Sequence, residues 1–275
     1  MPRRYQDPYL QLNTHYIMVP YTKRERRIRV LLPKNYTENT QTTYPVLYMY
    51  DGQNVFHSRE AYSGHSWKVI PHLKWNSQIP DMMIVAIDHD GEQRLNEYTP
   101  WEMNPAEIEK IQQVGGLGKA HASWIVECVK PFIDQHYRTS PQKETSFLAG
   151  SSLGGLMTAY TGATYPDVFG VLGIFSLASW VNDEAFLHYI AQHPLATQTK
   201  VYLQVGTMEG NETDQGFTSK NVNQMYLDSS LWYYQTLLRT GQPIDTIWFR
   251  ILADEIHHEK CWADHFGEFL VSNFQ

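Results

Sequence analysis

The stretch Thr145-Ser146-Phe147-Leu148-Ala149-Gly150-Ser151-Ser152-Leu153-Gly154-Gly155-Leu156-Met157 decides the fold of this chain. Its first five residues are typical of a short buried strand, and residues 156–164 are typical of a helix. Between them, Gly150-x-Ser152-x-Gly154 removes side chains where a strand turns sharply into a helix, so that Ser152 can project in a strained backbone conformation. An ordinary glycine-rich turn is the alternative. In this context we interpret Ser152 as a candidate nucleophile.

Short apolar runs rich in β-branched and aromatic residues recur along the chain, separated by helix-like patterns. The first two runs flank a short charged segment and predict an antiparallel hairpin, whereas later connections are long enough for the helical crossovers of parallel strands. A helix is predicted over residues 120–136, with a kink or a hydrogen-bonding gap at Pro131. The fold class is therefore α/β, with a mixed, mostly parallel sheet flanked by helices. The predicted strands are residues 16–20, 28–32, 46–50, 83–87, 145–149, 171–175, 201–205 and 246–252.

Composition limits the classes of protein that this chain can represent. Of its 275 residues, 42% are hydrophobic and 19% charged, which suffices for a sizeable core and is unlike a disordered chain. Because 29 acidic and 22 basic residues give a net charge of −7, no nucleic-acid partner is expected. The basic run at residues 23–29 is expected to form the solvated side of a strand. Without a linker or repeat, we expect one domain spanning residues 1–275.

The sequence gives no sign of a membrane segment. No apolar stretch approaches the roughly 20 residues of a membrane helix. The N-terminal arginines are not followed by the apolar segment of a signal peptide. We therefore expect no membrane partner and a cytoplasmic protein.

A serine hydroxyl is a weak nucleophile until a base accepts its proton, so the hypothesis requires a histidine oriented by a carboxylate. In hydrolases with this turn, the chain order is Ser, then Asp or Glu, then His. Glu209 comes just after the seventh predicted strand, at the edge where open α/β sheets build their sites. Asp214 and, more distantly, Asp183 are the alternatives. His257 and His258 both follow the last predicted strand and are the candidate bases.

Other candidate sites carry less weight. His257 and Cys261 are spaced for one helical face, but no further ligand cluster accompanies them, so no metal is expected. Residues 115–119 are glycine-rich but follow no strand, and we interpret them as a flexible loop. Tryptophans in predicted loops near strand ends are candidates for lining a substrate pocket, and these are Trp67, Trp101 and Trp180.

These residues resemble the putative esterase family of α/β-hydrolases, which includes feruloyl and acetyl esterases, siderophore trilactone hydrolases and S-formylglutathione hydrolases. The resemblance covers roughly residues 26–269. It includes His257 followed by Trp262, a spacing similar to that family's terminal histidine motif. Beyond the turn at Ser152, it also rests on Tyr48-Met49-Tyr50-Asp51-Gly52-Gln53-Asn54-Val55-Phe56, on Arg94-Leu95-Asn96-Glu97-Tyr98-Thr99-Pro100, and on Lys130-Pro131-Phe132-Ile133-Asp134 with Tyr137-Arg138-Thr139.

The resemblance implies an α/β-hydrolase fold and a role for each candidate residue. Ser152 looks like the nucleophile, Glu209 like the orienting acid, and His257, in preference to His258, like the base. Glu209 stands where many relatives have Asp, which is compatible because only a carboxylate within reach of the imidazole is needed. Residues 176–180 match the family's loop after the next strand only in part.

The resemblance also implies an oxyanion hole built from backbone N–H groups. Leu153, next to the nucleophile, would provide one donor. The loop after residues 46–50 would provide the other, from Gly52 or Gln53. Backbone donors suit this role because they are fixed in place before charge develops.

The implied function is that of a serine-dependent carboxylic ester hydrolase that acts through an acyl-enzyme and needs no cofactor. Only about 25 residues, 176–200, separate two adjacent predicted strands, so no large lid is expected. This favours small acyl esters or esters on bulky carriers of sugar, feruloyl or siderophore type. Two alternatives stay open, an acyltransferase that uses the same triad and a noncatalytic binding protein on a hydrolase scaffold. The oligomeric state is unknown.

Overall fold

The computed structural model, which describes residues 11–34, 36–103, 114–210 and 221–274, contains an eight-stranded sheet. The strands lie side by side in the order first, second, fourth, third, fifth, sixth, seventh and eighth. In chain order they are β1 (Leu12–Val19), β2 (Arg24–Leu31), β3 (Val46–Met49), β4 (Met83–Ile87), β5 (Ser146–Ser151), β6 (Val171–Phe175), β7 (Lys200–Met208) and β8 (Ile247–Ile256).

The pairing of the strands confirms the predicted mixed sheet. β1 and β2 form an antiparallel hairpin, and β2 also pairs antiparallel with β4. β3 runs parallel to both β4 and β5, and the neighbouring strands from β5 to β8 are also parallel to one another. All eight predicted strands are present, although β2 begins at Arg24 and β8 continues to Ile256. The carboxyl ends of the parallel strands therefore meet at one edge of the sheet.

Helices cover both faces of the sheet. They are α1 (Val69–Trp75), α2 (Arg94–Glu97), α3 (Gly118–Trp124), α4 (Lys130–His136), α5 (Leu153–Thr164), α6 (Asp183–Gln192), α7 (Val222–Arg239) and α8 (Glu259–Phe274). α3 and α4 are joined by a π-helical segment, Ile125–Val129, just before Pro131 in the first turn of α4. The predicted helix therefore exists, and the hydrogen-bonding irregularity expected near Pro131 takes the form of this π segment.

Two hydrophobic clusters fill the space between the sheet and its helices. Successive residues of β3 alternate between them, with Val46 and Tyr48 in one cluster and Leu47 and Met49 in the other. Burial on both faces explains why the central strands are continuous apolar runs in the sequence. β6 and β7 are connected through a 3₁₀ turn and α6, so the described residues include no large lid between them.

The expectation that the basic run at residues 23–29 is the solvated side of a strand is wrong. Successive side chains of a strand point to opposite faces, so the run is divided between the two faces of β2. Arg26 is buried in a two-bond pair with Glu97, and Arg29 is buried beside Asp88. Glu97 and Asp88 are distant in sequence, so the run itself gave no indication of these partners.

No helix in the described part of the chain combines the length and the apolar character needed to cross a membrane.

Candidate active site

Ser152 lies between β5 and α5 in a backbone conformation that few non-glycine residues adopt. Its φ and ψ angles are 58° and −125°. Its N–H donates to the carbonyl of Phe175 at 2.9 Å, which ties the turn to the end of β6. Such a conformation is strained and is maintained only when the surrounding structure imposes it. The turn therefore presents Ser152 at the N-terminus of α5, where the helix dipole favours negative charge.

The glycines around Ser152 allow the end of β5 to contact the start of α5. A Cβ on Gly150 would lie 2.6 Å from the backbone carbonyl carbon and oxygen of Gly154. A Cβ on Gly154 would lie 3.1 Å from Cβ of Tyr50. Because real Cβ atoms do not approach backbone as closely as 2.6 Å, the turn requires glycine at position 150.

Glu209 and His257 meet at the same edge of the sheet as Ser152. Glu209 follows β7, His257 follows β8, and Ser152 follows the parallel strand β5. Nδ1 of His257 lies 2.7 Å from Oε2 of Glu209, and the Glu209 side chain is 1% exposed. With Nδ1 bound to a carboxylate, the histidine presents Nε2 as the nitrogen that can accept a proton.

Two further donors hold the Glu209 carboxylate. Its Oε1 accepts hydrogen bonds from Oγ of Ser176 at 2.6 Å and from the N–H of Gly206 at 2.7 Å. The indole N–H of Trp262 in turn donates to Oγ of Ser176 at 2.8 Å. Hydrogen bonds to a carboxylate are among the stronger ones in proteins, so these bonds to Oε1 hold the carboxylate in place and leave Oε2 for His257.

Sequence reasoning did not assign Ser176 to the site. A usable signal was present, because Ser176 directly follows β6 at the edge that carries Ser152 and Glu209. Its positive φ of 48° places it in the left-handed region, as with Ser152. The hydroxyl thus reaches Glu209 from a turn that only the folded sheet brings beside β7.

The weaker candidates for acid and base lie apart from this network. Nδ1 of His258 accepts the N–H of Lys260 at 3.0 Å, in the first turn of α8. Asp183 begins α6 and accepts hydrogen bonds from the hydroxyls of Ser179 and Ser229. Asp214 lies outside the described residues. Of the described candidates, the structure joins Glu209 with His257.

Aromatic rings enclose the imidazole of His257. Its centroid lies 4.7 Å from that of Tyr226, and 5.0 Å from that of Trp262 in an edge-to-face arrangement. Trp180 is a buried residue that packs edge-to-face on Tyr226 at 5.7 Å. Trp180 therefore adjoins the site through Tyr226.

The other two tryptophans proposed for the pocket occupy different surroundings. Trp67 is 1% exposed and packs in the core against Phe175 at 4.8 Å and Trp262 at 5.8 Å. The prediction that Trp67 lines a pocket is therefore wrong, because the strand-end loop that carries it folds inward under α8. Trp101 is half-buried and packs edge-to-face on Tyr160 of α5.

The two backbone segments expected to form an oxyanion hole follow the adjacent parallel strands β3 and β5. Leu153 is the first residue of α5, and Gly52 and Gln53 lie in a 3₁₀ turn after β3. The side-chain amide of Gln53 makes two hydrogen bonds with the backbone of His89. Its Nε2 donates to the carbonyl of His89 at 2.8 Å, and its Oε1 accepts the N–H of His89 at 3.1 Å. The side chain of Gln53 is thus committed to the loop, which leaves its backbone N–H as the group that can serve the site.

An ion pair lies directly before this turn. Asp51, at φ 52°, accepts hydrogen bonds from Nε and Nη2 of Arg94 at 2.7 and 2.9 Å. Burial opposes ionisation of Asp51, but the charge and hydrogen bonds of Arg94 outweigh it and hold the pKa of Asp51 below its ordinary value. Oδ2 of Asp51 would lie 3.2 Å from a Cβ on Gly154, so the pair borders the turn that carries Ser152.

Within residues 11–34, 36–103, 114–210 and 221–274, no group of three or more His, Cys, Asp or Glu residues could hold a metal ion. In particular, the pair His257 and Cys261 gains no third ligand there.

Comparison with known proteins connects this geometry to a family. Residues 20–233 match the profile of the family described as Putative esterase. The Bacillus subtilis (strain 168) protein named Uncharacterized protein YbbA is 24% identical over 241 residues, covering 88% of this chain and 89% of the relative.

Solved structures share the fold. A ferulic acid esterase superposes with a TM-score of 0.70 at 19% identity, covering 96% of this chain and 98% of that chain. The enterobactin esterase FES from Shigella flexneri superposes with a TM-score of 0.73 at 19% identity, covering 98% of this chain and 60% of that chain. The sheet and its flanking helices are thus an α/β-hydrolase fold. The profile match spans more than half of the chain, and the chain belongs to the putative esterase family, whose members are esterase-type hydrolases.

Proposed function

We propose that the protein is a serine-dependent carboxylic ester hydrolase that forms an acyl-enzyme on Ser152. The observation that carries the proposal is that the strained Ser152 shares one sheet edge with a buried, hydrogen-bonded pair, Glu209 and His257. An ordinary glycine-rich turn has no need of a base and a carboxylate at the same edge. Membership of the esterase family supports the same class of reaction and a small-molecule ester substrate.

Acylation follows from the roles of these groups. Oγ of Ser152 attacks the ester carbonyl carbon while Nε2 of His257 takes the hydroxyl proton, giving a tetrahedral intermediate with a negative oxygen. The N–H of Leu153 and the N–H of Gln53 stabilise that oxygen. The imidazolium then returns its proton to the leaving alcohol, and the carbon–oxygen bond of the ester breaks.

Deacylation repeats these steps with water. His257 takes a proton from water as the water oxygen attacks the acyl carbonyl, and then protonates Oγ of Ser152 as the carboxylic acid leaves. Glu209 keeps the proton of the neutral imidazole on Nδ1 and stabilises the imidazolium at both stages. Apart from the ester and one water molecule, these transfers use only groups of the chain.

The proposed substrates are small acyl esters or esters on bulky carriers of sugar, feruloyl or siderophore type. The short connection through α6 supports an open site that admits a bulky carrier. The names of the similar structures, a ferulic acid esterase and an enterobactin esterase, favour esters of aromatic character.

A hydrolysis screen tests the proposal. Acetyl, butyryl, feruloyl and siderophore-lactone esters are incubated with the wild type and with Ser152→Ala, and the melting temperatures of both proteins are compared. We expect the wild type to hydrolyse at least one class and Ser152→Ala to lose that activity with its melting temperature preserved. Wild-type rates in Ser152→Ala would rule out the proposed nucleophile.

A further inference from the structure

Arg29 is a buried cation with an unusual set of partners. Its side chain is 4% exposed, and Nη2 donates to the carbonyl oxygen of Gly52 and, at 3.2 Å, to Oδ1 of Asp88. Nη1 donates to Oε2 of Glu60 at 3.1 Å. Nε has no hydrogen-bond partner among the described residues. A buried donor without an acceptor costs stability, and such local conflicts concentrate at functional sites.

The contact with Gly52 fixes the plane of one peptide bond. The carbonyl of Gly52 accepts two hydrogen bonds, one from Nη2 of Arg29 and one from the N–H of Val55 at 3.1 Å. Gly52 also lies against the end of β4, since a Cβ there would be 2.5 Å from Oδ1 of Asp88. In a trans peptide the C=O of one residue and the N–H of the next point in opposite directions. Holding the carbonyl of Gly52 therefore sets the direction of the N–H of Gln53.

The order of the strands gives that direction. Arg29 is on β2 and Asp88 follows β4, and both strands lie on one side of β3 in the sheet. Ser152 follows β5, the neighbour of β3 on the other side. A carbonyl of Gly52 that faces β2 and β4 leaves the next N–H facing β5, which is the side of Ser152.

We infer that Arg29 is a positioning residue of the oxyanion hole, which holds the carbonyl of Gly52 so that the N–H of Gln53 points at the substrate oxygen. The inference rests on the proposed function for its effect on rate. Arg29 itself touches no substrate. Asp88 and Glu60 balance its charge, and the ring of Phe56 packs 5.5 Å from its guanidinium carbon.

Arg27 supplies a matched control. It pairs with the same carboxylates, Asp88 at 2.6 Å and Glu60 at 3.3 Å, but its side chain makes no hydrogen bond to Gly52. Arg29→Met and Arg27→Met thus each remove one cation from the same cluster. We expect Arg29→Met to lower kcat per titrated active site by roughly 100-fold with KM within about twofold of wild type, as for loss of one oxyanion donor. Arg27→Met should retain kcat.

A second readout does not depend on ester hydrolysis. In ¹⁵N-labelled protein, Arg29→Met should shift the backbone amide resonance of Gln53, and Arg27→Met should leave it in place. Arg29→Lys, which keeps the charge and can offer one donor to Gly52, should fall between wild type and Arg29→Met in both readouts. It also serves as the test variant if Arg29→Met does not fold.

The outcomes separate the two proposals. If the wild type hydrolyses no ester, the proposed function fails, and the Gln53 amide alone decides whether Arg29 orients the loop. If the wild type is active but Arg29→Met and Arg29→Lys match Arg27→Met in kcat, with the Gln53 amide unmoved, the positioning role of Arg29 is overturned.

Discussion

At the scale of single residues, the contact between Glu209 and His257 is the part of the site that a substitution tests most sharply. Glu209→Gln keeps the shape of the side chain but removes its charge and sets an amide where only acceptors fit. We expect kcat for an aryl ester to fall on the order of 10³ to 10⁴-fold, as when a triad carboxylate becomes an amide. Asp183→Asn and Asp214→Asn are the matched controls and should retain the rate. Activity within tenfold of wild type in Glu209→Gln would remove Glu209 from the mechanism.

The two adjacent histidines make a second comparison at this scale. His257→Ala removes the ring bonded to Glu209 and should abolish hydrolysis. Among the described residues, the ring of His258 accepts the N–H of Lys260 and packs beside the ring of His65, apart from Glu209, so the kcat of His258→Ala should stay near that of wild type. Equal losses in the two variants, measured with the same ester, would contradict the assignment of the base.

Ser176 links Glu209 to Trp262, and its removal should weaken the site without destroying it. A hydrogen bond to a charged group is worth about 1.5–3 kcal/mol, so Ser176→Ala should lower kcat by about 10- to 100-fold and change KM little. Ser179→Ala is the control, because the hydroxyl of Ser179 bonds Asp183. An unchanged kcat in Ser176→Ala would mean that Glu209 is held adequately without it.

At the scale of elements, the junction of β5 and α5 depends on close backbone contact. Gly150→Ala places a Cβ 2.6 Å from backbone atoms of Gly154 and should lower the free energy of unfolding by about 1–3 kcal/mol. Gly91→Ala, where nothing lies within 4 Å of the new Cβ, should leave stability near that of wild type. Urea denaturation measures both. Equal stability of the two variants would show that the junction relaxes freely.

His121 of α3, which is hydrogen-bonded to Tyr21 in the turn between β1 and β2, makes stability depend on pH. Burial, reinforced by the charge of Arg26, lowers the pKa of His121 from 6.5 to about 3. Between these values the unfolded chain binds one more proton than the folded chain, so stability rises with pH across this window. The wild type should therefore lose stability as pH falls from 6.5 toward 3.

His121→Gln removes this titrating group and should flatten that dependence. From pH 7 to pH 5, the unfolding free energy of the wild type should fall by about 2 kcal/mol more than that of the variant. Urea denaturation at several pH values measures the two slopes, and the constant cost of the substitution cancels in the comparison. Parallel curves would mean that His121 takes up its proton in the folded state.

At the scale of the whole molecule, local patterns predicted the architecture well. The eight strands, the first hairpin and the turn at Ser152 each leave a signal within a few neighbouring residues. The burial of Arg26 and Arg29 does not, because their partners Glu97 and Asp88 lie 71 and 59 residues away. The same limit explains why Trp67 was expected in a pocket, since only the position of α8 makes its surroundings a core.

The residues of the candidate site come from loops that follow several different strands of the sheet. Gly52 and Gln53 follow β3, Ser152 follows β5, and Ser176 follows β6. His257 follows β8, beyond the end of the family match at residue 233. Sequence order suggested these groups, other than Ser176, one at a time, whereas their meeting depends on the order of strands in the sheet. Both halves of the chain must therefore fold together before the site exists.

The most direct test of the central claim is to label the protein with a fluorophosphonate probe, which phosphonylates activated serines irreversibly with loss of fluoride, and to map the adduct by mass spectrometry. The account predicts one probe per chain, attached to Ser152, with ester hydrolysis falling in proportion to labelling and no labelling of Ser152→Ala. Hydrolysis that persists in fully labelled protein, or an adduct on another residue, would contradict it.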